Sequence, residues 1–197
     1  LEFAENISKV GTQPIIGTQI YFRFEDTTGL LPLIALNENG YKRIIELSSR
    51  SYLENDALSD PHLDVKELLI DTEGVSLFSG TIQGLFGKLF EKGRLNEISK
   101  LYRSLSSKFN DNFYLEIQRH GDQNEIAFEK FNLEQSLKIK TPIIATNEVY
   151  YLTPDMHEAH DALTCIGSKT YVNEKNRIKY SNQHYFKSNE EMSKLFS

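Results

Sequence analysis

The sequence predicts an α/β fold whose strands run mainly parallel, in a sheet either open or closed into a barrel. Three observations predict it. Runs of β-branched and aromatic residues alternate with stretches of helical periodicity. The runs LIAL, VSLF and PIIA are apolar throughout rather than at every second position, the pattern of strands covered on both faces. The order is strand, strand, helix, then strand and helix three times over.

Pro14 to Phe24 reads as the first strand, with a bulge or a close backbone approach at Gly17. Leu31 to Leu36 reads as the second strand and Tyr41 to Leu47 as a short helix. Val75 to Ser79, closed by Gly80, is the third strand. Leu95, Ile98, Leu101, Tyr102 and Leu105 follow i, i+3, i+4 spacing and give one apolar helix stripe. Phe113 to Arg119 is the fourth strand. A helix over about Asn124 to Ile139 is expected to turn Ile126, Ala127, Phe131, Leu133 and Leu137 inward. Pro142 to Thr146 is the fifth strand. Thr153-Pro154-Asp155 is a helix start, with Thr as cap, Pro at the first position and an acid in the first turn. Ser188 and Glu191 form a capping box ahead of Met192, Leu195 and Phe196.

Two segments are irregular. Glu54 to Pro61 is a polar loop. Ser168 to Lys187 carries Lys169, Lys175, Arg177, Lys179 and Lys187 against Glu174 alone. It reads as a solvated connection, the alternative being a face turned toward nucleic acid.

Composition narrows the function. The chain has 197 residues with 12 Phe and 10 Tyr, enough rings for a packed core in one domain. Lys plus Arg total 22 against 28 Asp plus Glu, a net charge of −6, which argues against a domain that grips DNA by its phosphates. The single Cys165 excludes an internal disulfide and any multi-cysteine metal site. Beside Leu163 and Ile166, it reads as a buried structural thiol. No apolar run approaches the ~18 residues of a membrane span, and LEFAENISKV has no signal-peptide pattern. The expectation is a soluble, cytoplasmic chain. Position 1 is Leu rather than Met, so a piece of a larger protein is expected.

Familiar catalytic motifs are missing. Gly80 to Lys88 has glycines but neither the spacing nor the Ser/Thr of a phosphate loop, and there is no G-x-S-x-G elbow. His157 and His160 stand at i, i+3 on a helix, a weaker metal signal than i, i+4 with an acid between them, and read as surface histidines. His62 reads as solvated, and His184 sits in an irregular segment with no role assigned. His120 differs, because it follows a strand and precedes Gly121-Asp122. Active sites in parallel α/β folds form at that end of the strands. Thr81 and Asn147-Glu148 also follow strands, so His120, Glu148, Thr81 and Gln19 are candidates to converge. One His and one carboxylate are thin for a metal, since catalytic zinc takes three protein ligands.

The segments PIIGTQIYF, NENGYKRIIELSS, FYLEIQRHGDQNE, PIIATNEVYYLTPDMHEAHDAL and FKSNEEMSKLF, in this order, resemble the PHP (polymerase and histidinol phosphatase) domain of bacterial DNA polymerase III alpha subunits. The likeness runs from about Asn6 to Phe196, and the single domain is taken as 1–197. It implies a (βα)7 barrel related to the TIM barrel, here lacking its first strands and the His-x-His opening. In metal-binding members, ligands cluster at the strand ends. By position, the Glu of PIIGxE is Gln19 here, the Cys of SGC is Thr81, and the His of QRHG is retained as His120. The Asp and His of NDVHY are Glu148 and Tyr150. Gln19, Thr81 and Tyr150 are thus degenerate, leaving His120 and Glu148 as a vestigial metal pair. Losing two anionic ligands removes charge that a cluster of divalent ions needs.

The resemblance therefore implies a non-catalytic scaffold with no cofactor of its own. It would dock the proofreading exonuclease (epsilon) subunit within the polymerase III holoenzyme. Contact with DNA would belong to the full-length polymerase, whose palm uses Mg²⁺, and no membrane is involved. The alternative is a metal-dependent 3′–5′ exonuclease or phosphoesterase using Zn²⁺ or Mn²⁺ and ligands upstream of Leu1. A histidinol-phosphatase-like enzyme is a more distant option, disfavoured by the same substitutions.

Overall fold

The computed structural model describes residues 2–56 and 59–197. Part of the expected Glu54 to Pro61 loop, at positions 57 and 58, lies outside the described residues. In chain order the elements are α1 (Glu2–Lys9), β1 (Gly17–Phe24), β2 (Thr27–Ala35), α2 (Glu38–Leu53) and β3 (Leu63–Asp64). A 3₁₀ turn over Val65–Leu69 leads to β4 (Val75–Phe78), α3 (Leu85–Glu91), α4 (Leu95–Phe109) and β5 (Phe113–Ile117). They are followed by α5 (Glu125–Ile139), β6 (Ile143–Ala145), α6 (His157–Ser168) and α7 (Asn189–Leu195).

The α/β class holds, but the sheet is mixed. Its order is β3-β1-β2-β4-β5-β6. β1 and β2 pair antiparallel, as do β2 and β4, whereas β4-β5, β5-β6 and β1-β3 pair parallel. The expectation of parallel strands is corrected at β1 and β2 for a covalent reason. The expected second strand began at Leu31, but pairing starts at Phe24↔Thr27. Only Glu25 and Asp26 remain to join the strands, and a parallel crossover needs a dozen residues or more. Glu25 takes φ 52°, as two-residue hairpin turns demand. Arg94 holds the turn, with 2.5 Å to Glu25 and 3.0 Å to Asp26. Among the described residues β3 and β6 are the outer strands and do not pair with each other, so the sheet is open.

The close approach expected at Gly17 is real: a Cβ there would stand 2.8 Å from the Leu33 carbonyl oxygen. Tighter still is Gly40 of α2, where a Cβ would lie 1.7 Å from the Gly74 carbonyl oxygen. α2 starts at Asn37, whose side chain accepts the Gly40 N–H at 3.0 Å, and extends well beyond the expected Tyr41 to Leu47.

The core is built from Phe22, Leu31, Leu33, Leu77, Phe113 and Leu115 of the sheet. Against them pack Leu47 of α2, Phe86 and Leu89 of α3, and Ile98, Tyr102 and Leu105 of α4. Each such side chain contributes roughly 1.5–3 kcal/mol when fully buried. The α4 stripe matches its expected spacing, although Leu95 at its start is partly exposed.

Of the expected α5 stripe only Phe131 packs against the core; the rest of it faces outward. The buried residues of α5 are Glu125, Phe128, Asn132 and Gln135, while Ile126 and Leu137 are each 83% exposed and Leu133 points outward as well. Polar anchors decide this. Asn132 accepts the Tyr102 hydroxyl at 3.0 Å and donates to the Glu116 carbonyl at 3.1 Å. Glu125 accepts the His120 and Gly121 backbone N–H groups. Leaving these buried groups unpaired would cost more than exposing aliphatic side chains.

α6 follows a 3₁₀ turn at Pro154–Met156 that fits the expected Thr153-Pro154 start. Cys165 is buried as expected, but Leu163 and Ile166 beside it are exposed rather than forming one apolar face with it. The Ser188–Glu191 capping box is formed in full. Among the described residues, no helix is long and apolar enough to cross a membrane.

Candidate functional site

Parallel β4, β5 and β6 end on one side of the sheet, so the segments after them share a rim. Ser79, Gly80 and Thr81 follow β4; Gln118, Arg119 and His120 follow β5; Thr146, Asn147 and Glu148 follow β6. Beneath the rim, the Ser79 hydroxyl accepts the Glu116 N–H at 2.9 Å. The buried Glu116 carboxyl accepts from Gln118 at 3.3 Å and from the Thr146 hydroxyl. Burial pushes this carboxyl above its ordinary range, against those two hydrogen bonds.

A cleft of about 430 Å³ opens at the rim. Gln19, Thr81, Glu148 and Tyr150 all line it. His120 lies one layer behind, fully enclosed. Its backbone N–H and that of Gly121 bond the Glu125 carboxylate at 2.9 and 2.8 Å. Burial pushes the Glu125 carboxyl up, but hydrogen bonds from His120 and Gly121 outweigh it and hold the group below its ordinary range. His120 Nε2 donates to Asn147 Oδ1 at 3.0 Å, and Lys187 Nζ donates to the same oxygen at 3.1 Å. Asn147 in turn donates to the Tyr185 carbonyl at 2.7 Å. The His120 ring is therefore engaged inside the protein rather than presented to the cleft.

His184, which sequence reasoning left without a role, reaches the cleft instead. Its ring stacks on His120 with centroids 4.1 Å apart and planes 6° apart. Its Nδ1–H donates to the Glu148 carbonyl at 3.1 Å, which fixes Nε2 as the unprotonated nitrogen. Nε2 is buried without a hydrogen-bond partner among the described residues. Burial first, then the neighbouring His120, lowers its pKa, so the ring stays neutral. Tyr150 lies 4.6 Å from Tyr180 and 5.0 Å from His184, centroid to centroid. Burial and the Glu148 charge push its phenol up, so it remains protonated.

Ser168 to Lys187 is thus more than a solvated connection. Arg177 pairs with Asp161 at 2.5 Å, Lys187 is buried, and Ile178, Lys179, Tyr180 and His184 form one wall of the cleft. Backbone bonds from Tyr150 to His184 at 2.9 Å and from Phe186 to Tyr151 at 3.0 Å seat the segment against the β6 exit. The other histidines are occupied locally. His157 donates to the Tyr180 carbonyl at 2.9 Å and His160 stacks on Tyr150, so the two do not act as a ligand pair. His62 is half-buried and bonds the Asp60 carbonyl at 2.7 Å rather than standing in solvent.

The ligand set that the family resemblance implies does not fit a metal cluster here. Among the described residues no three His, Cys, Asp or Glu side chains gather closely enough to hold an ion. Gln19, Thr81 and Tyr150 offer neutral oxygens, and His120 Nε2 is committed to Asn147. The cleft lining carries the carboxyl groups of Glu148 and Asp122 and the buried His184 ring beside aromatic rings, with Lys179 as a cationic side chain.

The α/β class with a mixed sheet is consistent with a PHP domain, although the described strands form an open sheet where the resemblance implied a (βα)7 barrel, and that family's model matches residues 1–120. The chain belongs to the PHP domain family. It is similar to the DNA polymerase III subunit alpha of Caulobacter vibrioides (strain NA1000 / CB15N), at 35% identity over 206 residues, covering 100% of this chain and 18% of that protein. The protein of the same name from Rickettsia bellii (strain RML369-C) is 34% identical over 200 residues, covering 100% of this chain and 17% of that protein. The one from Borreliella burgdorferi (strain ATCC 35210 / DSM 4680 / CIP 102532 / B31) is 31% identical over 209 residues, covering 100% of this chain and 18% of that protein. The chain thus spans less than a fifth of the length of these relatives.

Proposed function

We propose that this chain is the PHP domain of a bacterial DNA polymerase III alpha subunit and acts there as a non-catalytic scaffold. The carrying observation is the cleft itself: Gln19, Thr81 and Tyr150 line it as neutral groups, and no three ligating side chains gather among the described residues. We take the domain over 1–197; the pairing of β6 with β5, beyond the matched residues 1–120, supports a unit that continues past the match. The architecture is of the barrel type related to the TIM barrel, with further strands of the full subunit completing it. The parent protein is a cytoplasmic, Mg²⁺-dependent DNA-directed polymerase, and the domain's partner is the proofreading exonuclease subunit, epsilon. The net charge of −6 supports a protein-facing role over a DNA-facing one.

A second reading, a metal-dependent 3′–5′ exonuclease, draws on Glu148 and the unpartnered His184 Nε2 sharing one cleft. Metal content of the full-length alpha subunit, purified without chelator, separates the two. Near-zero zinc and manganese together with co-purification of the exonuclease subunit is the expected result. Two or three bound ions per chain with metal-dependent release of nucleotides would overturn the scaffold reading.

A further inference from the structure

The cleft at the strand ends is built to accept hydrogen bonds. His184 is 2% exposed, and its Nε2 is a lone-pair nitrogen with no partner among the described residues. An unsatisfied buried acceptor is costly and calls for a donor from outside. The carboxylates of Glu148 and Asp122 line the same space and lie close enough to act electrically on the His184 ring. Tyr150 and Tyr180 supply an aromatic wall 4.6 Å apart. With Lys179 as the opposing charge, the lining carries a net negative charge, which disfavours phosphate and carboxylate ligands.

The geometry points to a guanidinium group as the occupant: we propose that an arginine side chain of the docked protein partner enters the cleft, stacks against the wall formed by Tyr150 and Tyr180, pairs with Glu148 and donates to His184 Nε2. Guanidinium is planar, always charged, and carries five N–H donors with no acceptor, the complement of this lining. It stacks on aromatic faces and pairs carboxylates in a bidentate fork. Too few ligands gather here for a divalent ion, yet the site still favours a cation. Arginine is also a residue enriched among binding hot spots. A partner arginine deepens the docking role proposed above and takes its partner from that reading, whereas guanidinium recognition rests on the cleft alone.

The test titrates the chain, with chelator present, against Nα-acetyl-arginine amide, its lysine counterpart and the neutral citrulline isostere, followed by NMR. The arginine probe is expected to shift the Tyr150, Tyr180 and His184 ring resonances and to bind at least about tenfold more tightly than citrulline, because the hydrogen bonds are charge-assisted. Glu148→Gln, nearly isosteric, is expected to remove that preference, and Tyr180→Leu to weaken binding without altering the far-ultraviolet circular dichroism. Equal binding of citrulline, indifference to both substitutions, or stronger shifts of the same rings by a nucleoside would each overturn the proposal. Failure of the probes with intact exonuclease co-purification rejects the arginine anchor and leaves the scaffold reading standing. Loss of co-purification with intact probe binding does the reverse.

Discussion

Replacing Asn132 by Ala tests why α5 exposes its aliphatic residues. Asn132 is 0% exposed and satisfies two buried groups, the Tyr102 hydroxyl at 3.0 Å and the Glu116 carbonyl at 3.1 Å. Tyr102 is itself fully buried, between Phe86 and Phe113, so water cannot take over. Each orphaned group costs about 1–3 kcal/mol. The vacated volume adds a cavity cost of about 1 kcal/mol for the few atoms removed. The sum is a loss of roughly 3–7 kcal/mol, a large share of the 5–15 kcal/mol typical of a domain. Urea unfolding monitored by tyrosine fluorescence reads it as a lower midpoint at unchanged slope. Tyr102→Phe in the Asn132→Ala background deletes one orphan and is expected to recover about 1 kcal/mol or more, a coupling that a double-mutant cycle isolates. A loss below about 1 kcal/mol, or additive single effects, would refute the claim that polar anchoring sets the α5 register.

The other predictions concern packing, register and pH. Gly40→Ala forces a Cβ to 1.7 Å from the Gly74 carbonyl and is expected to cost roughly 3 kcal/mol or more by thermal melting. A change within about 0.5 kcal/mol would contradict that contact. Ile126→Lys and Leu137→Lys on the outward face of α5 are expected to stay within about 0.5 kcal/mol of wild type in the isolated chain, the opposite of what an inward stripe requires. Glu125 is held below its ordinary range when folded. Its contribution is therefore present above the unfolded value of about 4.3 and lost as pH falls through the folded one. Glu125→Gln should flatten that acid limb. Glu116 is shifted the other way, so wild type should lose stability as pH rises above about 4.3, until the raised folded value is passed. Glu116→Gln should remove that loss, and an unchanged difference between pH 4 and 8 in chemical denaturation would refute it.

Local chemistry wrote the strand runs, the apolar stripe of α4, the Ser188–Glu191 capping box and the Thr153-Pro154 helix start into the sequence, because each depends on residues within a turn or two. Gln19, Thr81 and Tyr150, singled out by the order of motifs around them, come to one cleft with Glu148 in the fold. Tertiary structure decided the rest. The second strand of the hairpin begins at Thr27, ahead of the continuous apolar run, so a reading anchored on apolar residues started it at Leu31. The face of α5 was set by Asn132 meeting a tyrosine 30 residues away, which hydrophobic periodicity does not weigh. His184 entered the site through a hydrogen bond to Glu148, 36 residues distant, and a stack on His120. Periodicity reports how a segment meets an apolar core. Which buried polar groups find each other across the chain is settled when the backbone closes around them, and in this protein those pairings orient α5 and shape the cleft.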